Sequence, residues 1–237
     1  MSSIGATAPH PAIPAAGWLK GWGQGLSQIF FQSNVFTALL ILAAFAVADW
    51  RMALLVLSGA AGNTVAGRVI GADSSSVMAG MQGFCGALVG AATYAAIGAP
   101  WEAYPIALAG GILCAPVIWL VNALFTKTPL RIYGLPSTTA PFCIVATIIL
   151  FSTEPLHVSA AASDTIDSAP LAFVRSLLTN VSEVVLINNE WSGALILLGL
   201  FVASWKVGLA GLLGSVVGSL CALALGEALT ETANGLA

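Results

Sequence analysis

The stretch Leu135-Pro136-Ser137-Thr138-Thr139-Ala140-Pro141-Phe142 sets two threonines between two prolines, at the mouth of an apolar run that reaches Leu150. Its chemistry is hydrogen bonding. Threonine hydroxyls donate and accept, and proline leaves nearby carbonyls without an amide partner. In lipid, such backbone groups must be satisfied by protein or by a water-filled cavity. Gln28 and Glu183 are comparable polar residues, set in the apolar stretches "LSQIFFQSN" and "VSEVVLINN". None of these residues forms bond-breaking machinery: the apolar segments carry no Ser/His pair, paired Asp or HExxH arrangement, and no GxxxxGK[ST] phosphate loop. An enzyme is therefore the least favoured class, and no cofactor is expected. Cys85, Cys114, Cys143 and Cys221 lie apart in apolar segments without CxxC spacing and read as small hydrophobes rather than metal ligands. His10 lies in the polar N-terminus and His157 in an acidic loop, so neither reads as a ligand.

The elements that must position these residues are set by composition. Of 237 residues, 58% are hydrophobic and only 7% charged, with mean hydropathy +0.95. A soluble domain carries about 25% charged residues, so the solvent of this chain is mostly lipid. The net charge of -3 comes without any basic run, and nothing points to nucleic acid. The first thirty residues lack the charged-then-apolar layout of a cleaved signal peptide. The expectation is an all-α, multi-pass protein of the plasma or inner membrane, in contact with membrane lipid.

Apolar segments fall near 35–49, 52–72, 77–98, 104–125 and 138–152, then near 190–204 and 207–229. Most approach the ~20 residues a spanning helix needs, and the first and fifth are short. Residues 1–20 read as a flexible terminus, 21–152 as one unit, 153–175 as an extracellular or periplasmic linker and 176–237 as the start of a second unit. With the N-terminus inside, Lys20, Arg68, Lys127, Arg131 and Lys206 fall inside and the acidic 154–167 loop outside. That agrees with the positive-inside rule, and Arg51 opposes it.

The chain also repeats itself. Residues 26–50 match 181–205 at a constant offset of 155, with Ser27/Ser182, Asn34/Asn189, Ala48/Ala203 and Trp50/Trp205 identical. The register continues through Gly59/Gly214, Gly71/Gly226 and Gly80/Gly235. Five apolar segments separate equivalent points, an odd number, so the second copy enters the membrane upside down. Inverted repeats put a permeation or binding site near the midplane, often at broken helices. "LSQIFFQSN" and "VSEVVLINN" are each too short to cross alone. They read either as interfacial helices with Gln28 and Glu183 facing headgroups, or as half-helices dipping inward, and their repetition favours the second.

Few ionisable residues lie deep in the spans, Glu183 being the main exception. Ion-driven carriers keep such groups as relays, so the permeant is expected to be neutral. Phe31 and Phe84 could wall a slot for a flat molecule, with Thr138, Thr139 and Gln28 supplying oxygen acceptors for its N–H groups. A row of acceptors replaces lost water and keeps each step nearly level. Urea fits; other small neutral solutes, such as a short amide or ammonia, are not separated from it on these grounds.

The octapeptide 135–142 resembles the LPxxTxPF signature of the urea transporter family. "SQIFFQSN" is similar to that family's first re-entrant segment, and "GMQGFCGALVG" (residues 80–90) to its Gly-Phe-Asn-Gly region. The resemblance spans residues 22–236. It implies two inverted halves, each of five helices plus a half-helix, a pore within each protomer, a homotrimer and channel-like passage of urea. By position, it implies that Gln28 and Glu183 cap two ladders of oxygen acceptors and that Phe31 and Phe84 form the outer slot. Thr139, Val184 and Leu88 would line the dehydrated middle, and Leu186 would take the inward place equivalent to Phe31. Helix packing remains the other reading of Phe84, Leu88 and Val184, and an intrahelical bond that of Thr139.

Cys85 stands where the family usually has Asn, and Val185-Leu186 replaces the aromatic pair Phe30-Phe31. The second copy stops at Gly235-Leu236-Ala237, whereas the first continues into Gly83-Phe84 and three further spans. The second half is thus expected to be truncated, the sequence covering part of a longer protein.

Overall fold

The computed structural model describes residues 12–158 and 168–235, and these are helices joined by turns. The helices are α1 (Ala15–Gln28), α2 (Val35–Ala48), α3 (Trp50–Ile70), α4 (Ser74–Met78), α5 (Phe84–Ile97) and α6 (Ala103–Lys127). Then come α7 (Ala140–Ser152), α8 (Ala169–Glu183), α9 (Glu190–Ala203), α10 (Trp205–Leu225) and α11 (Leu229–Ala233). Helices α3, α6 and α10 are long and apolar enough to cross a membrane. The shorter α2, α5, α7 and α9 are apolar too. Large apolar side chains, among them Val69, Trp101, Trp119 and Leu213, point outward. That surface belongs in lipid, and the protein is an integral, multi-pass membrane protein.

Three boundaries differ from the sequence expectation. Helix α1 begins at Ala15, inside the stretch expected to be a flexible terminus, after Pro14 at its cap position; residues 1–11 lie outside the described residues. Helix α8 begins at Ala169, within the expected linker, because Pro170 sits in its first turn, where a missing N–H costs nothing; residues 159–167 lie outside the described residues. The span expected at 77–98 is broken between α4 and α5. Gly80 there adopts φ 78°, and a Cβ on it would come within 2.6 Å of the backbone at Gln24 and Gly25. The break therefore lets α4 lie on α1.

Close backbone approach builds the core of the first unit. A Cβ on Gly59 of α3 would run into the Gly86 carbonyl of α5, and one on Gly111 of α6 into the Gly59 carbonyl. Small residues drive helix association in lipid in this way, because dispersion contacts replace the absent hydrophobic drive. Leu26 of α1, Ile41 and Phe45 of α2 and Val145 of α7 join Val56 and Val89 in one buried cluster.

Helix bounds recur 155 residues apart: α2 with α9, α3 with α10, and α4 with α11. The contact between α2 and α9 is reciprocal. Thr37 Oγ1 donates to the Gly199 carbonyl at 2.8 Å, and Ser192 Oγ donates to the Ala44 carbonyl at 2.8 Å. Ser192 is the repeat partner of Thr37, and Gly199 that of Ala44.

Candidate functional site

Helices α1 and α8 end in the same device. Phe31 N–H donates to the Gln28 carbonyl at 2.9 Å, and Gln32 N–H to the Ser27 carbonyl at 3.0 Å. Leu186 N–H donates to Glu183 at 2.9 Å, and Ile187 N–H to Ser182 at 3.1 Å. This pair of bonds is a Schellman closure, which puts its C′ residue in the left-handed region that glycine prefers. Helices α3 and α10 close the same way with glycine, Gly71 and Gly226. Helices α1 and α8 use Phe31 (φ 56°) and Leu186 (φ 63°) instead. An L-residue there costs about 1–2 kcal/mol, so a large apolar side chain is kept at each place against the backbone's preference.

Serine and asparagine hold the two turns. Ser27 Oγ donates to the Gln24 carbonyl at 3.0 Å and receives Asn34 N–H at 3.4 Å. Ser182 Oγ lies 3.1 Å from the Thr179 carbonyl and 3.0 Å from the Asn189 carbonyl. Asn34 Oδ1 caps α2 by accepting from Phe36 and Thr37, and Asn189 Oδ1 caps α9 by accepting from Ser192. The Ser/Asn anchors seen in the repeat are therefore the groups that fix where Phe31 and Leu186 project. Their spacing carried that signal, though the sequence reading gave them no role.

The proline break contributes a third left-handed residue. Thr138 has φ 40°, and Phe31, Thr138 and Leu186 are the non-glycine residues with positive φ among those described. Thr139 precedes α7, whose first turn holds Pro141. Cys85, in the first turn of α5, donates its thiol to the Thr138 carbonyl across 3.6 Å, joining the 80–90 region to the octapeptide. Thr138 and Thr139 are half-buried.

Gln28 is buried, and its Nε2 donates to the Ala79 carbonyl at 2.8 Å, tying the end of α1 to the break before α5. Glu183, its repeat partner, is half-buried, and a Cβ on Gly235 would lie 2.7 Å from its Cγ. Phe84 (7% exposed) and Leu88 are buried in the core with Leu26 and Ile29, whereas Phe31 is 62% exposed. Phe31 and Val184 share a groove of about 470 Å³ that Asn180 and Ser215 also line. Leu186 lines a different groove, of about 440 Å³, between α5 and α7. The structure thus joins Phe31 to Val184, and Cys85 to Thr138. It does not bring Phe31 and Phe84 into one groove among the described residues.

A further polar cluster escaped the sequence reading. Asn180 Nδ2 donates to Ser219 Oγ at 2.9 Å and Ser215 Oγ at 3.1 Å, and Ser176 Oγ lies 2.7 Å from Ser219 Oγ. The repeat partners of these four residues are Gly25, Thr64, Ala60 and Gly21, so the first copy offered no pattern by which to find it.

The sequence is similar to known proteins. The family model described as urea transporter matches residues 19–237. Urea transporter 1 of Rattus norvegicus is 26% identical over 228 residues, which cover 90% of this chain and 58% of the relative. Urea transporter 1 of Ovis aries is 26% identical over 235 residues, covering 89% and 60% respectively. The chain therefore spans less than two thirds of the length of these relatives. By the extent of the family match, the chain belongs to the urea transporter family.

Proposed function

We propose that this chain forms the wall of a pore through which urea crosses the membrane down its own gradient. The observation that carries the reading is the trio of strained residues, Phe31, Thr138 and Leu186, at the two half-helix ends and in the octapeptide. Backbone strain persists where the surrounding structure enforces it, and it clusters at functional sites. Phe31 would wall the path of the flat permeant, and Thr139 would offer it an oxygen. Leu88, Val184 and Leu186 would keep the middle dry, with Gln28 and Glu183 at the ends of the oxygen ladders.

The two units are read as inverted repeats, each built for five helices and a half-helix, and three protomers as a homotrimer with one pore each. Support for the inversion comes from the recurring helix bounds and from the reciprocal Thr37–Gly199 and Ser192–Ala44 bonds. Support for the orientation comes from how the cations are paired. Arg51, the residue that opposes the positive-inside rule, is ion-paired with Asp49 at 2.6 Å, and Arg175 with Glu190 at 3.5 Å. Both would face outside, and both are neutralised.

Thr139→Val keeps the side-chain volume and deletes the hydroxyl. In proteoliposomes loaded with radiolabelled urea, this variant should pass urea about tenfold more slowly if one net hydrogen bond of ~1.4 kcal/mol is lost at the barrier. Unchanged flux would assign Thr139 to packing and remove the oxygen step from the path.

A further inference from the structure

Helix α7 carries a polar stripe that the octapeptide only begins. Thr139, Cys143 and Thr147 are spaced by four residues and so lie along one face of the helix. The opposite face, with Val145 and Ile149, is buried in the core. Cys143 and Thr147 are exposed, and both line a groove of about 440 Å³ that Ala92, Ala95 and Ala96 of α5, the edge of Ile149 and Leu186 also line.

The Thr147 hydroxyl stands apart from others in these helices. Thr64, Thr93 and Thr153 turn their hydroxyls back on the carbonyl four residues earlier, at 2.7, 2.8 and 2.8 Å. That is how a threonine in an apolar helix satisfies itself. Thr147 has the Cys143 carbonyl at the same separation, yet its hydroxyl has no partner among the described residues. The hydroxyl is thus free to hydrogen-bond whatever enters the groove. The alanines opposite leave room for it, and Leu186 is held against the groove by a strained backbone.

We propose that the permeant's path follows this face of α7, with Thr147 as a second hydroxyl step beyond Thr139 and the Cys143 thiol between them. The two hydroxyls are eight residues apart, about 12 Å along the helix, so a small neutral N–H donor meets them in succession. The bare alanine wall opposite gives it no competing polar contact. This inference rests on the reading of the chain as a urea pore.

The test uses the full chain in proteoliposomes, with Cys221→Ser removing the other exposed cysteine. A water-soluble, cationic methanethiosulfonate should couple to Cys143 as a mixed disulfide, detectable by mass, and lower urea flux by about tenfold or more. Excess urea should slow the coupling, and Cys143→Ser should make flux insensitive to the reagent. Thr147→Val should lower urea flux, and Thr147→Ser should restore it. A Cys143 that stays unlabelled faces lipid, and a labelled Cys143 with unchanged flux lies off the path; either result overturns the proposal. Equal flux in Thr147→Val and the parent removes Thr147 from it. A failure of the untreated parent to pass urea is a separate outcome, which refutes the pore reading itself.

Discussion

Replacing Phe31 with glycine separates a side chain kept for function from one kept for stability. Relief of the left-handed backbone should return about 1–2 kcal/mol. Glycine's larger unfolded-state entropy takes back about 0.5–1 kcal/mol. Phe31 is 62% exposed, so only about a third of the ~1.5–3 kcal/mol that full burial of a phenylalanine supplies is lost. The sum lies within about 1 kcal/mol of zero. Phe84→Ala is the control. Phe84 is 7% exposed, and opening a cavity there should cost about 3 kcal/mol or more. Thermal unfolding in detergent should therefore leave Phe31→Gly close to the parent and Phe84→Ala well below it. Stopped-flow flux should show Phe31→Gly passing methylated ureas faster, relative to urea, than the parent does. A large destabilisation in Phe31→Gly would make Phe31 a packing residue. Unchanged stability with unchanged selectivity would place Phe31 off the path.

Two further predictions concern the scaffold. Asp49 Oδ1 caps α3 by accepting Arg51 N–H at 2.8 Å, and its Oδ2 accepts the Tyr94 hydroxyl at 2.6 Å. Its hydrogen bond to the Arg51 guanidinium holds the carboxyl well below the usual carboxylate range. The stability this supplies is fully present above the ordinary aspartate value and is lost as the pH falls below it. Asp49→Ala should cost about 1–2 kcal/mol from the lost cap, Asp49→Asn should retain the cap, and the fall in melting temperature from pH 7 to pH 3 should be larger in the parent than in either variant. Thr37→Val and Ser192→Ala should each destabilise by about 0.6 kcal/mol, the mean for interhelical bonds in a membrane. Unequal losses, read from unfolding curves, would count against a symmetric α2–α9 contact.

The long elements were legible because composition and the 155-residue register fix them together. Trp50/Trp205 and Gly71/Gly226 mark the bounds of α3 and α10 in both copies. The break between α4 and α5 was not, because residues 77–98 are apolar apart from Gln82, Thr93 and Tyr94, and only Gly80, Gln82 and Gly83 hint at an interruption. Helix α1 began earlier than expected because Ala15-Ala16-Gly17 after Pro14 looks like a loose terminus until α4 lies on it. The octapeptide marked an interruption by its prolines, and Thr138 within it takes a left-handed backbone, while Thr139 stays right-handed. Which groove each residue lines could not be read, because it depends on how α5, α7 and α8 meet. The bond between Thr37 and Gly199 could have been found by pairing the copies, had the inverted relation been carried down to single side chains.

The central claim is passive passage of urea. Its most direct measurement is uptake of radiolabelled urea into proteoliposomes holding the full chain, with and without imposed proton or sodium gradients. No proton relay is evident in the spans, where Glu183 is the main ionisable residue. Urea should therefore enter faster than through empty liposomes, stop at equal concentration on both sides, and ignore both ion gradients. Accumulation above the outside concentration under either gradient, or uptake no faster than through empty liposomes, would contradict the account.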